Sequence, residues 1–79
     1  MIKINDYIEG TEYYGFDDNT QRIRGWVDKI RETEEGLQID IQCDDCGGHR
    51  GSTVYEKLGN IIILESQERP IIFNFDFRI

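Results

Sequence analysis

The sequence is poor in the residues on which most site chemistry depends. Its 79 residues include one histidine, one tryptophan, one proline and two cysteines. The single histidine, His49, sits in a glycine-rich loop, so no Ser-His-Asp set can be argued from it. No phosphate-cradling loop is present, because "GGHRG" lacks the strand-to-helix setting such loops need. Long apolar runs are also missing. The longest is "IIIL", residues 61–64, too short for a membrane span. The N-terminus "MIKINDYIEG" has neither an apolar h-region nor a small-residue cleavage site, so a cytoplasmic location is expected. In that compartment a structural disulfide is disfavoured.

Positive charge is scarce as well. Nine Lys and Arg face 16 Asp and Glu, a net charge of −7. That balance disfavours general binding to phosphate backbones, which needs clustered cations. It suits solubility, or an acidic surface that meets a basic partner.

What remains is a β pattern. A chain of this length makes one small domain, residues 1–79, whose core can supply only a few kcal/mol net, roughly 3–5. "GLQIDIQC" alternates, placing Leu37, Ile39, Ile41 and Cys43 on one face. "QRIRGWVDKI" puts Ile23, Gly25 and Val27 inward and Arg22, Arg24 and Trp26 outward. "IIFNFDFRI" alternates in the same way near the C-terminus. The run at residues 60–64 suits a short strand buried on both faces. "TEEG" reads as a hairpin turn in which Gly36 supplies a positive φ. No window of 11 residues shows a helical stripe. The expectation is all-β: a small antiparallel, partly open barrel of five to six strands.

The order of elements resembles the SH3-like barrels. "NDYIEGTEYYG" looks like their first strand, and "RGWVDKI" is similar to the second strand of KOW-type domains. "GLQIDIQC", "STVY", "EKLGN" and "IIIL" match the third strand, the fourth, the short turn and the fifth. "IIFNFDFRI" is left as an extra C-terminal strand. The resemblance implies binding of RNA, DNA, peptides or ribosomal and polymerase surfaces, and fold alone does not choose among these. An acidic chain of this look also resembles small accessory proteins of phages, which implies an interaction with a host machine.

Three places carry candidate chemistry. "CDDCGGH", residues 43–49, has the Cys-x-x-Cys spacing of a zinc knuckle, with Cys43, Cys46 and His49 as donors. Zinc needs four ligands, and the sequence has no second knuckle, so the stretch is better read as a hairpin tip than as a metal site or zinc-linked dimer. A redox pair is weaker still, since Asp44 and Asp45 lie between the thiols and disfavour thiolate. Trp26, with Arg22 and Arg24 on the same side, forms the second candidate. Exposed, it would anchor a partner; otherwise it closes the barrel end or packs under the last strand. "EYYGFDDN" is the third, with Asp17 and Asp18 in a polar loop and Tyr13 or Tyr14 expected at the core or rim.

These features indicate a non-catalytic module without a resident cofactor, a monomer or weak homodimer. Its expected partner is a protein, met through Asp17, Asp18 and the Arg22–Arg24–Trp26 strand. The rival is a nucleic-acid module using Arg22, Arg24, Lys29 and Arg31.

Overall fold

The computed structural model describes residues 1–72. Four strands run as an antiparallel meander: β1 (Tyr7–Tyr14), β2 (Asn19–Thr33), β3 (Gly36–Cys43) and β4 (Gly51–Tyr55). A 3-10 turn, Glu56–Leu58, follows, and a two-residue strand β5 (Ile62–Ile63) returns to β1. The order across the sheet is β4-β3-β2-β1-β5, all antiparallel, and the sheet does not close into a barrel. The class is the all-β one expected. Most of the extra C-terminal strand expected from "IIFNFDFRI" falls on residues 73–79, outside the described residues.

Alternation decides which side chains meet. Ile8, Gly25 and Cys43 share one cross-strand row, and Val27 pairs with Ile41. Ile30 pairs with Ile39, and Ile39 with Val54. Ile8, Val27, Ile39, Ile41, Cys43 and Val54 are wholly or almost wholly buried, with Ile2, Ile23, Ile30, Leu37 and Ile61 packed around them. β-branched residues dominate because their stiff side chains fit a pleated surface. Each fully buried aliphatic contributes roughly 1.5–3 kcal/mol before the entropy of ordering is subtracted.

Val27 and Ile30 are three apart, yet both face the core. The register shifts between Val27 and Lys29, and this bulge absorbs the odd residue, Asp28, and restores the inward parity. The tight turn after β2 pairs Thr33 with Gly36, whose φ is 108°. A glycine reaches that value without strain.

The sheet curls until β1 and β4 meet through side chains. Gly10 lies under Val54, so close that a Cβ on Gly10 would come within 2.7 Å of the Val54 Cβ. Beyond it, Glu12 points inward and is almost completely buried. Its carboxylate accepts hydrogen bonds from the Ser52 hydroxyl, the Gln21 amide at 2.5 Å and the Arg50 guanidinium at 3.1 Å.

One expectation is corrected. Ile62 and Ile63 are not buried on both faces; each is 47% exposed. β5 pairs only with β1, at the margin of the sheet. Only Ile61 and Leu64 of that run turn partly inward.

After β5, residues 65–70 cross the outer face of the sheet as an irregular strap. Their path follows one cross-strand row, Tyr7–Trp26–Gln42. The Leu64 N–H donates to the Tyr7 carbonyl at 2.8 Å. The Trp26 indole N–H donates to the Gln67 carbonyl at 3.1 Å. At the far side the Gln42 amide donates to the Pro70 carbonyl at 3.3 Å.

Candidate functional site

The β1–β2 hairpin continues past the end of β3. Cys43, the last residue of β3, pairs with Gly25, whereas β1 and β2 stay paired as far as Tyr14 and Asn19. From Arg24 to Asn19 an extended strand covers roughly 16 Å at about 3.3 Å per residue, so the tip lies well past the last residue of β3. The turn, residues 15–18, is closed by two left-handed residues, Gly15 at φ 80° and Asp18 at φ 57°. Aspartate tolerates that conformation better than most residues.

This geometry turns Phe16 outward. Phe16 is fully exposed, and Tyr14 beside it is 57% exposed. Tyr13 is partly sheltered by Tyr55, the rings meeting edge to face at 5.1 Å. Of the two residues considered for the core or rim, Tyr13 takes a rim position against Tyr55 and Tyr14 faces solvent. Asp17 and Asp18 are exposed next to Phe16, and no ion pair occupies them among the described residues. The tip is an aromatic knob with two free carboxylates.

The Arg22–Arg24–Trp26 strand is arranged differently from the expectation. Trp26 does lie on the outward face, but it is only 5% exposed. Its ring packs on Tyr7 with centroids 5.1 Å apart, and the strap closes over it. A large indole on an outward face carries much apolar area, and covering it while satisfying its N–H is the stable solution. Arg22 and Arg24 converge on Glu9, each at 3.0 Å. These two guanidiniums hold the Glu9 carboxyl below the usual range. Arg22 also donates to Thr11 Oγ1 at 3.1 Å and to the Asn60 carbonyl at 2.5 Å, tying down the chain that leads into β5.

Arg31 is engaged as well, forking onto Asp40 at 2.8 and 2.6 Å. Of the four cations considered for nucleic acid, only Lys29 is without an ion pair among the described residues.

The "CDDCGGH" stretch forms the β3–β4 loop. Cys43 faces the core while Cys46 and His49 are exposed, so the three donors do not converge. Among the described residues, no group of three or more His, Cys, Asp or Glu side chains is placed to hold a metal ion. Burial pushes the Cys43 thiol up to about 11. Asp44 accepts the Tyr7 hydroxyl, and Asp45 pairs with Arg50 at 2.8 Å. The Asp17–Asp18 and Asp44–Asp45 groups share one end of the sheet.

The two thiols should differ sharply in reactivity. Cys46 is expected to react at once with a thiol reagent at neutral pH. Cys43 should react at least about a hundredfold more slowly, because its labelling waits on opening of the sheet. Timed alkylation with peptide mapping reads both rates, and equal rates would refute the burial of Cys43.

Glu12, Arg50, Arg69 and Phe16 were not singled out by the sequence reading. Glu12 had a signal: it continues the inward parity of Ile8 and Gly10. Arg69 had none, since its partners Asn5, Asp28 and Gln42 lie far away in sequence. Comparisons with protein-family models, with curated proteins and with solved structures found no match.

Proposed function

We propose that the chain is a non-catalytic binding module that docks a protein partner through the tip of the β1–β2 hairpin. The observation that carries this reading is the full exposure of Phe16 beside Tyr14, Asp17 and Asp18. An apolar aromatic left in water on a projecting turn is a natural anchor for a partner pocket. The adjacent carboxylates select a basic surface: Lys or Arg side chains can pair with Asp17 and Asp18 while lying against the rings. An overall charge of −7 steers such a partner in and repels nucleic acid. Arg22 and Arg24, both committed to Glu9, fit the framework better than the docking surface.

The test is affinity capture from nuclease-treated lysate, comparing wild type with Phe16→Ser and with Asp17→Lys/Asp18→Lys. Both variants should fold as wild type does, because the tip contributes nothing to the core. Each should recover at least about tenfold less partner, as expected when a central aromatic or charge anchor is removed. The charge variant should also lose the salt sensitivity of binding. Recovery unchanged in both variants would move the site off the hairpin. Recovery abolished by nuclease would replace this reading with a nucleic-acid module.

A further inference from the structure

The strap over Trp26 is attached in an unusual way. Residues 65–72 make no backbone-to-backbone hydrogen bond among the described residues. Residues 65–68 are exposed, so the segment buries little surface of its own. What holds it is a set of side-chain seats on the outer face of the sheet. The Trp26 indole grips the Gln67 carbonyl. Asn5 accepts from Arg69 at 2.6 Å, and Asp28 and Gln42 accept from the same guanidinium. Pro70 has its own seat: its carbonyl accepts from Gln42, and its ring lies against Gly48, where a Cβ would come within 2.9 Å of the proline Cγ.

Features that also serve the fold supply these seats. The β2 bulge frees Asp28 to face the guanidinium. Asn5 takes a left-handed φ of 74° beside it, and Gly48 leaves the space that the proline ring fills. Three side-chain acceptors, with the Val27 carbonyl at 3.5 Å as a fourth, form an arginine-selective site, because the planar fork satisfies several acceptors at once where an ammonium does not. Next to it lies an aromatic floor, Tyr7 and Trp26.

We propose that the Tyr7–Trp26–Gln42 face is a second binding groove, occupied in cis by residues 65–70. Its ligand in trans is an extended segment of a partner protein that presents an arginine followed by a proline. The strap competes with that ligand at the millimolar effective concentration of a short tether. It keeps the groove closed until a segment of higher affinity or higher local concentration displaces it. This groove is independent of the hairpin tip, and neither reading requires the other.

The chain contains a single tryptophan, so fluorescence reports the groove directly. The experiment uses the full chain as wild type and as Arg69→Ala, titrated with a synthetic peptide of sequence ILESQERPII. A control peptide carries alanine in place of the arginine. In Arg69→Ala the emission of Trp26 should shift to the red as the strap lifts. The peptide should reverse that shift and raise the melting temperature, and the control should do neither. Wild type should need at least about a hundredfold more peptide for any response, because the strap is already in place. Equal response of wild type and variant, or equal binding of the control peptide, would overturn the proposal. So would a folded Arg69→Ala that ignores the peptide. If Arg69→Ala does not fold, Arg69→Lys is read in the same way, and failure of both to fold would assign the strap to the framework alone.

Discussion

Replacing Arg50 with methionine is expected to destabilise the fold by about 3 kcal/mol, far more than losing a surface ion pair. Exposed pairs are typically worth no more than about 1 kcal/mol. Arg50 differs because its partner Glu12 has a side chain only 3% exposed. Removing the cation leaves a buried carboxylate with only the neutral Ser52 and Gln21 donors, and an uncompensated buried charge costs roughly 3–5 kcal/mol. Glu12→Gln should cost only about 1 kcal/mol. The amide keeps the Ser52 contact, and Arg50 keeps Asp45 at 2.8 Å. Combining Glu12→Gln with Arg50→Met should restore much of the loss, because no charge is then left buried. Urea unfolding of the four proteins gives the cycle, and losses that simply add would refute the stranded-charge account.

Acid separates the same proteins by sign. In the native protein burial pushes the Glu12 carboxyl up, but Arg50, Ser52 and Gln21 together pull it below its ordinary 4.5. Glu9 and Asp40 are also held low, chiefly by Arg22 and Arg31. Folding then favours the ionised forms. Their stabilisation is present above about pH 4.5 and is lost as the pH falls through the lowered native values. In Arg50→Met the burial of Glu12 is unopposed by a cation, so its native value rises above the unfolded one. Its proton then favours folding, and the variant should regain stability on acidification from neutrality. A melting profile between pH 7 and 4 that runs parallel for both proteins would contradict this.

Gly25→Ala should be the most damaging single methyl. A Cβ at Gly25 would lie 2.3 Å from the Gln42 carbonyl oxygen and 3.0 Å from the Cys43 Cα. Both are backbone of the neighbouring strand, fixed by the ladder, so neither can rotate away. Overpacking of this kind costs up to about 3 kcal/mol, or roughly 12–24 °C in melting temperature for a domain of this size. Gly10→Ala meets a side chain instead, the branched Val54 at 2.7 and 2.8 Å. It should therefore be rescued in part by Val54→Ala, whereas no side-chain change should rescue Gly25→Ala. Thermal melts of the five proteins decide it, and equal tolerance of the two alanines would mean that the sheet yields where the geometry says it cannot.

These effects trace to what could and could not be read along the chain. Alternation from Leu37 to Cys43 identified β3 and its inward face, because period two is a local property that survives any tertiary arrangement. The same rule placed Trp26 on the outward side correctly but said nothing of what lies above it. That cover arrives from residues 65–70, and the contacts that dock it join residues 27 to 64 apart in the chain, Trp26 and Gln67 among them. Glu12 was missed for a related reason. A carboxylate on an inward parity position looks like an error in the pattern until Arg50 and Ser52 arrive from β4. "IIIL" misled in the opposite direction, since apolar composition does not show that a strand has only one neighbour. The β2 bulge was legible in principle from the three-residue spacing of Val27 and Ile30, an odd interval that no regular strand allows on one face.

The order of the strands also fixes the order in which they can assemble. β1 to β4 are joined by short connections, so their three pairings close small loops at low entropic cost. β5 must instead find β1 across the whole meander, Ile63 against Ile8, and contacts of such long sequence separation form late. Until they do, the edge of β1 that β5 covers in the native sheet is an open ladder of unpaired amides. Until β5 pairs, a growing chain therefore presents the strand that carries both Gly10 and Glu12 as a free margin, and that margin is where a neighbouring copy would first adhere.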